Sequence, residues 1–296
     1  MNEKQFVEKT VLNDGGTRVN RIAVMCMFKN NEDYLTKFFF EMVLLMEKKY
    51  DVMFEYYFIE NNSTDRTREL LREFFRTKTD KSRLLLFNVK NDYKNIGDGK
   101  NYDRLFHLAK IRNMLVDNVV PLSTDWCLFI DSNIFFKEDI LEKCFAYSPT
   151  ENNIGMMVPY TQQLFIPEIH RIDNLTSPTL LSHFYDTFSF FDVGNKTFWP
   201  YCAFEKCKLC KREGCVHRKA IPKEMDVVDV ASAFGGFCFI KADIINNKSI
   251  RWETLSHEVN KDESVCEHFM FCNMLKKITD KRVVVLQNVD DVYRTY

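Results

Sequence analysis

Trp126-Cys127-Leu128-Phe129-Ile130, followed at once by Asp131-Ser132-Asn133, is the stretch on which the architecture turns. An unbroken apolar run of this length reads as a strand buried on both faces, and the abrupt change to a carboxylate, a hydroxyl and an amide marks its exit. Earlier segments read the same way. Arg21 to Phe28 (RIAVMCMF) runs into Lys29-Asn30-Asn31-Glu32, and Phe54 to Ile59 into Glu60-Asn61-Asn62-Ser63-Thr64-Asp65. Ser82 to Val89 (SRLLLFNV) gives a further strand, before a polar loop with Gly97 and Gly99. Helix-spaced apolar residues lie between these runs, at Asn31 to Lys49, Arg66 to Arg76 and Tyr102 to Val119. Ser63 or Thr64 would cap the second of these helices, and Leu105, Leu108, Ile111 and Leu115 share one face of the third. Strands alternating with helices imply an α/β fold, a mixed, mostly parallel sheet with helices on both faces. Ligands of such sheets bind beyond the carboxyl ends of the strands, so the polar exits are where a site is expected.

The second half is less regular. It offers a strand at Gly155 to Tyr160, an aromatic and cysteine-rich stretch to about Lys223, and a strand pair within Val227 to Ile240. A helix from about Ser264 to Lys277 and a strand at Arg282 to Leu286 complete it, and these elements are expected to continue the same sheet. The organisation reads as an extension over 1–19 and a single domain over 20–296.

Of the 296 residues, 41 are Lys or Arg and 42 are Asp or Glu, a formal net charge of −1. That balance lacks the excess that binding to nucleic acid or anionic lipid requires. Met1 to Asn20 is polar, without the apolar core of a leader, and the densest apolar run, Phe38 to Met46, is broken by Glu41. Neither a signal peptide nor a transmembrane segment is expected, which points to a cytoplasmic protein. Ten cysteines in a chain this long read mostly as reduced and buried rather than as a disulfide framework.

Asp131 and Asn133, two apart, can point into one crevice, where a carboxylate can hold Mg²⁺ or Mn²⁺ together with substrate phosphates. The competing reading is that Asp131 caps the turn before a helix at Lys137 to Cys144. Glu60 to Asp65 carries short polar groups able to read a nucleobase and its ribose, or equally an Asx or N-cap turn. Cys202-x₄-Cys207-x₂-Cys210-x₄-Cys215, with His217 close behind, could clip an insertion over 200–218 with a structural Zn²⁺; free thiols or disulfides are the alternatives. His107 and His183 read as satisfied or surface residues.

Taken together, Phe28 to Leu35, Glu60 to Asp65, Ala109-Lys110-Ile111-Arg112-Asn113 and Leu128 to Asn133 resemble, in order, four motifs of nucleotide-sugar-dependent glycosyltransferases with the GT-A fold. The second is similar to their D-N-x-S-T-D and the fourth to their D-x-D. Asp131 to Leu141, and Phe184-Tyr185-Asp186-Thr187-Phe188 with Asp192 and Gly194, most resemble the cryptococcal mannosyltransferase group and its α-mannosyltransferase relatives. Asn133 departs from the pattern by replacing the second Asp, and Phe191 stands where an Arg precedes Asp192.

The resemblance implies a nucleotide-binding half (20–135) and an acceptor-binding half (136–296), with a divalent cation, Mn²⁺ or Mg²⁺, between donor and protein. It places Phe28, Asn30, Glu32, Glu60, Asn62, Asp65 and Ser132 around the nucleotide sugar, Arg112 near the diphosphate, and Asp131 with Asn133 at the cation. It places Tyr185, Asp186, Asp192, Gly235, Gly236 and His268 on the sugar and acceptor side, with Glu267 orienting or deprotonating the acceptor hydroxyl. The reaction it implies moves a hexose, mannose from GDP-mannose first, onto a glycan hydroxyl. A UDP-sugar donor is the alternative, and a non-catalytic binding protein on the same fold is a further one, kept open by Asn133.

Overall fold

A computed structural model describes residues 9–78, 81–88, 102–147, 153–165, 179–181, 184–186, 188–194, 226–255 and 265–295. A hairpin of β1 (Asn13–Asp14) and β2 (Thr17–Arg18) leads into β3 (Arg21–Phe28). One helical segment follows, made of α1 (Glu32–Tyr34), a π-helical turn (Leu35–Phe39) and α2 (Phe40–Lys49). Then come β4 (Met53–Asn61), α3 (Thr67–Phe75), β5 (Arg83–Phe87), α4 (Tyr102–Val119), β6 (Trp126–Asp131), β7 (Ile134–Phe136) and α5 (Ile140–Ala146). The second half supplies β8 (Ile154–Pro159), β9 (Gln162–Phe165), β10 (Thr179–Leu181), β11 (Phe191–Asp192), β12 (Val227–Ser232) and β13 (Phe237–Lys241). It closes with α6 (Ala242–Asn246), α7 (Glu267–Thr279), β14 (Arg282–Leu286) and β15 (Val292–Thr295).

Nine strands form the main sheet in the order β11-β12-β14-β8-β13-β6-β3-β4-β5, and only β12 and β13 run against the others. The expected mixed, mostly parallel α/β sheet is the one observed. Its two faces are visible within a single strand. In β3, Ile22, Val24, Cys26 and Phe28 pack toward α2 and α5, whereas Ala23 and Met25 pack toward α4 and α7. Alternate residues of a strand point to opposite faces, so an all-apolar strand needs a helical layer on each side. The first layer is aromatic: Phe28, Phe39, Phe58 and Phe74 meet edge-on or stacked at 5.2–5.7 Å between rings. Truncating a fully buried ring such as Phe58 to alanine would cost about 3–5 kcal/mol.

The sequence reading is corrected in two places. A second sheet, β10-β9-β15-β7, which the apolar pattern does not announce, stands over the exit of β6. The helix α3 begins at Thr67, and the acceptor at its start is Asp65, whose Oδ1 takes the Thr67 N–H at 3.0 Å, rather than Ser63 or Thr64. The six cysteines among the described residues are free and buried. Cys202, Cys207, Cys210 and Cys215, with the zinc clip expected of them, lie outside the described residues, as does His183. Among the described residues no helix is long and apolar enough to cross a membrane.

Candidate active site

A cleft of about 270 Å³ opens at the carboxyl ends of β3, β4 and β6, lined by Phe28 and Lys29 from β3 and its exit, Asn61 from β4, Arg104, His107 and Arg112 from α4, Asp131, Ser132 and Asn133 from β6 and its exit, and Arg294 from β15. Among the described residues of this lining Asp131 is the one acidic side chain, against four basic ones, Lys29, Arg104, Arg112 and Arg294. Such a surface favours an anion.

Asp131 ends β6 where the sheet stops. Its backbone N–H donates to the Gly236 carbonyl at 2.8 Å, and the Asn133 N–H donates back to the Asp131 carbonyl at 2.8 Å, closing a tight turn. Gly235 and Gly236 both have positive φ, +66° and +70°. A Cβ on Gly236 would stand 2.7 Å from the Ile134 Cδ1, too close to fit unmoved, and 3.5 Å from the Asp131 Oδ2, an ordinary contact, so the bare backbone is what lets the loop pack on Ile134 beside the carboxylate.

Behind Asp131 lies a buried ionic array. The Arg112 guanidinium, 3% exposed, donates from Nη1 to the Glu267 Oε1 at 2.8 Å and from Nη2 to the Asp131 Oδ1 at 3.4 Å. It also lies over the Phe234 ring at 4.9 Å. Burial by itself disfavours its charge, but Asp131 and Glu267 outweigh this and hold the guanidinium above its ordinary value. His268 stacks on Phe234 at 3.7 Å and accepts the Trp252 indole N–H at Nδ1, 3.2 Å away, which leaves its hydrogen on Nε2, 3.6 Å from Glu267. Burial, and then Arg112, push His268 well below the usual imidazole range, so it is neutral. Glu267 is enclosed beneath the cleft and reaches it through Arg112.

Of the residues expected on the sugar and acceptor side, Asp186 and Tyr185 lie next to this array. Asp186 takes the Ser189 hydroxyl at 2.6 Å and the Gly235 N–H at 3.2 Å, and Ser189 in turn accepts the Phe234 N–H at 3.1 Å. Burial pushes the Asp186 carboxyl up, and the nearby Asp131 and Glu267 charges add to this against the Ser189 hydrogen bond. The ring of Tyr185 carries the Arg294 guanidinium at 4.4 Å. Asp192 is apart from the cleft, its Oδ1 accepting the Gly194 N–H at 2.8 Å in a turn.

Several residues singled out in the sequence stand outside the lining. Glu60, fully buried, faces Arg68 and accepts the Ser63 N–H at 2.7 Å. Its strand neighbour Asn61 takes the cleft side beside His107, at 3.4 Å. The other polar residues lace the first two strand exits together. Asn30 donates its N–H to Ser63 at 3.0 Å and accepts the Thr64 N–H at 2.8 Å. The Glu32 N–H donates to Asp65 at 3.0 Å, and the Glu32 carboxylate accepts the Arg66 N–H at 3.1 Å. Asn30 and Asn62 sit at φ +53° and +58°, a region that short polar side chains tolerate best after glycine.

The cation expected between donor and protein can be tested against these donors. Asp131 fits: its side chain is 27% exposed, it faces the cleft, and a single carboxylate with substrate phosphates is an ordinary way to bind Mg²⁺ or Mn²⁺. Asn133 does not fit. With its amide turned so that the oxygen meets donors, it accepts from Arg294 Nε at 3.2 Å and Nη2 at 2.9 Å.

The sequence reading set His107 aside as a satisfied or surface residue, quoted Lys29 and Asn61 only as parts of the polar exits, and did not mention Arg104 or Arg294. Arg104, His107, Leu108, Ile111 and Arg112 fall on one face of α4 by helical spacing, a signal present in the sequence. Arg294 gave no such signal; only the pairing of β15 with β7 brings it to Asn133.

Comparison with known proteins bears on the family and the fold. The model of the family described as cryptococcal mannosyltransferase 1 matches residues 17–273. The chain belongs to that family. Among solved structures it is similar to GalNAc-T7, in a structure with UDP, GalNAc and Mn²⁺, at a TM-score of 0.52 and 12% identity over 94% of this chain and 43% of that one. It is also similar to the mannosyltransferase PcManGT from Pyrobaculum calidifontis, in complex with GDP-Man and Mn²⁺, at a TM-score of 0.50 and 10% identity over 99% of this chain and 61% of that one. The chain thus spans about three fifths or less of these solved chains, and likewise of TarS from S. aureus. Sequence comparison with curated proteins gives no match. The family match and these likenesses together give the chain the fold of the GT-A glycosyltransferases.

Proposed function

We propose that the cleft binds a nucleotide sugar and transfers its hexosyl group, mannose from a GDP-mannose donor in the first instance, to a glycan hydroxyl. The observation that carries this reading is Asp131 at the exit of β6, set against the bare Gly236 backbone in a cleft whose other charged lining groups are Lys29, Arg104, Arg112 and Arg294. The family description favours the mannosyl donor. Phe28 and Asn61 stand where a base and ribose would lie, while Asn30, Glu32, Asn62 and Asp65 serve the shape of the two exits and Glu60 the strand behind them.

Asp131, with the donor's own phosphates, would hold Mn²⁺ or Mg²⁺, and such a cation neutralises a departing diphosphate. Arg112 fixes the Asp131 carboxylate in the cleft. Glu267 and His268 hold Arg112 in turn, so Glu267 acts as a positioning residue rather than a base in contact with substrate. Tyr185, Asp186 and the Gly235-Gly236 backbone stand where the transferred sugar and the acceptor would enter. Catalysis on this reading is electrostatic, with fixed charges aimed at the leaving group.

A melting-temperature panel of GDP- and UDP-sugars with Mn²⁺ tests the reading, since a ligand that binds only the folded state raises its apparent stability. GDP-mannose should give the largest rise, and Asp131→Asn should abolish sugar transfer while the fold persists. A panel in which no sugar nucleotide shifts the transition would refute it.

A further inference from the structure

We propose that Arg294 binds the donor diphosphate directly, supplying the positive charge that a second acidic metal ligand would otherwise recruit as cation, so that nucleotide binding here survives removal of divalent metal. This rests on the reading of the cleft as a nucleotide-sugar site. Three observations converge on it. First, the residue after Ser132 is neutral. Asn133 orients the Arg294 guanidinium through Nε at 3.2 Å and Nη2 at 2.9 Å without cancelling its charge, as an aspartate at that position would. Second, the guanidinium lies over the face of Tyr185, 4.4 Å away, and the backbone that carries it is anchored in β15, where Arg294 pairs with Ile134 of β7. A guanidinium held between an amide and a ring has lost its freedom before any ligand arrives, and its remaining N–H groups suit paired bonds to phosphate oxygens. Third, Asp131, the one carboxylate among the described lining residues, is already engaged from behind by Arg112 at 3.4 Å, which draws on the same charge a bound cation would use. Among the described residues the site therefore has one shared acidic ligand for a cation and a preformed cationic partner for the anion.

Calorimetric titration of GDP and UDP into the whole chain, in EDTA and in Mn²⁺, separates this from the underlying reading. The better-binding nucleotide should lose no more than about 10-fold in affinity on going from Mn²⁺ to EDTA, because Arg294 makes a charge-assisted contact of its own. Arg294→Gln should weaken binding in EDTA by about 10- to 100-fold, the loss of one such contact, and weaken it less in Mn²⁺. Arg294→Lys should restore part of the loss. Asn133→Asp, made on an unaltered β15, should also weaken binding in EDTA while enlarging the gain from Mn²⁺, and it carries the test should the Arg294 variants fold poorly. Binding of the wild type in Mn²⁺ with none in EDTA would overturn the inference alone, as would Arg294→Gln binding in EDTA like the wild type. Absence of nucleotide binding in both conditions would overturn the nucleotide-sugar reading and this inference with it.

Discussion

Replacing Arg112 by methionine removes the charge at the centre of the buried array while keeping most of the side-chain volume between Phe234 and Trp252. Its two carboxylate partners differ in what they lose. Asp131 is 27% exposed and can turn to water, so little of the cost falls there. Glu267 is 3% exposed, and what remains beside it is His268, whose burial disfavours its charge and whose Nδ1 already accepts the Trp252 indole N–H. Abandoning one member of a buried ion pair costs about 3–5 kcal/mol, because the other charge stays desolvated. For a chain of this length that is a fall in melting temperature on the order of 10 °C. The double variant Arg112→Met with Glu267→Gln removes both charges, and an amide beside the histidine is far cheaper to bury than a carboxylate. It should therefore regain at least half of the loss. Urea unfolding of the two single variants and the double one provides the cycle. A single Arg112→Met variant within about 1 kcal/mol of wild type would refute the assignment of the Arg112–Glu267 pair as buried and mutually dependent, as would a double variant no more stable than the single.

Three further outcomes are expected. His268 is held neutral in the fold, so below its usual value of 6.5 the unfolded chain binds a proton that the folded chain does not, and stability falls with pH. The contribution is up to about 1.4 kcal/mol per pH unit, and His268→Gln should show a shallower decline between about pH 7.5 and about pH 5.5 in urea titrations. Gly235→Ala combines a positive φ of +66° with a Cβ 2.8 Å from the Thr161 Oγ1. It should cost about 2–4 kcal/mol from left-handed backbone and overpacking together, read as a lowered urea midpoint. Glu60→Gln should lower stability by about 2 kcal/mol, since it strips a fully buried carboxylate from Arg68, yet leave nucleotide affinity within about 2-fold in the same calorimetric titration.

The main sheet was legible because its strands are buried on both faces. RIAVMCMF and WCLFI can form little else, and the helices between them show their stripes, so β3, β4, β5, β6, β8, β12, β13 and β14 appear close to where apolar runs place them. The small sheet was not legible, because β7, β9, β10 and β15 are three or four residues long and carry no period that can be counted. The same division runs through the site. Asp131 and Arg112 stand in motifs whose order along the chain points to them, whereas Asn61 and Glu60 exchange places relative to expectation because a strand turns neighbouring side chains to opposite faces. Arg294 depends on a pairing between distant segments that no local pattern encodes.

The interlocking of the first two strand exits bears on how this protein can be altered. Asn30, Glu32, Ser63, Thr64 and Asp65 satisfy one another's backbone across two turns that the chain visits separately. A graft that imported one turn from a relative would bring half of a knot, leaving amide hydrogens with nothing to hold. Recombination at this rim succeeds only if both turns travel as one cassette, and a chimera designed that way should fold where its single-turn counterparts do not.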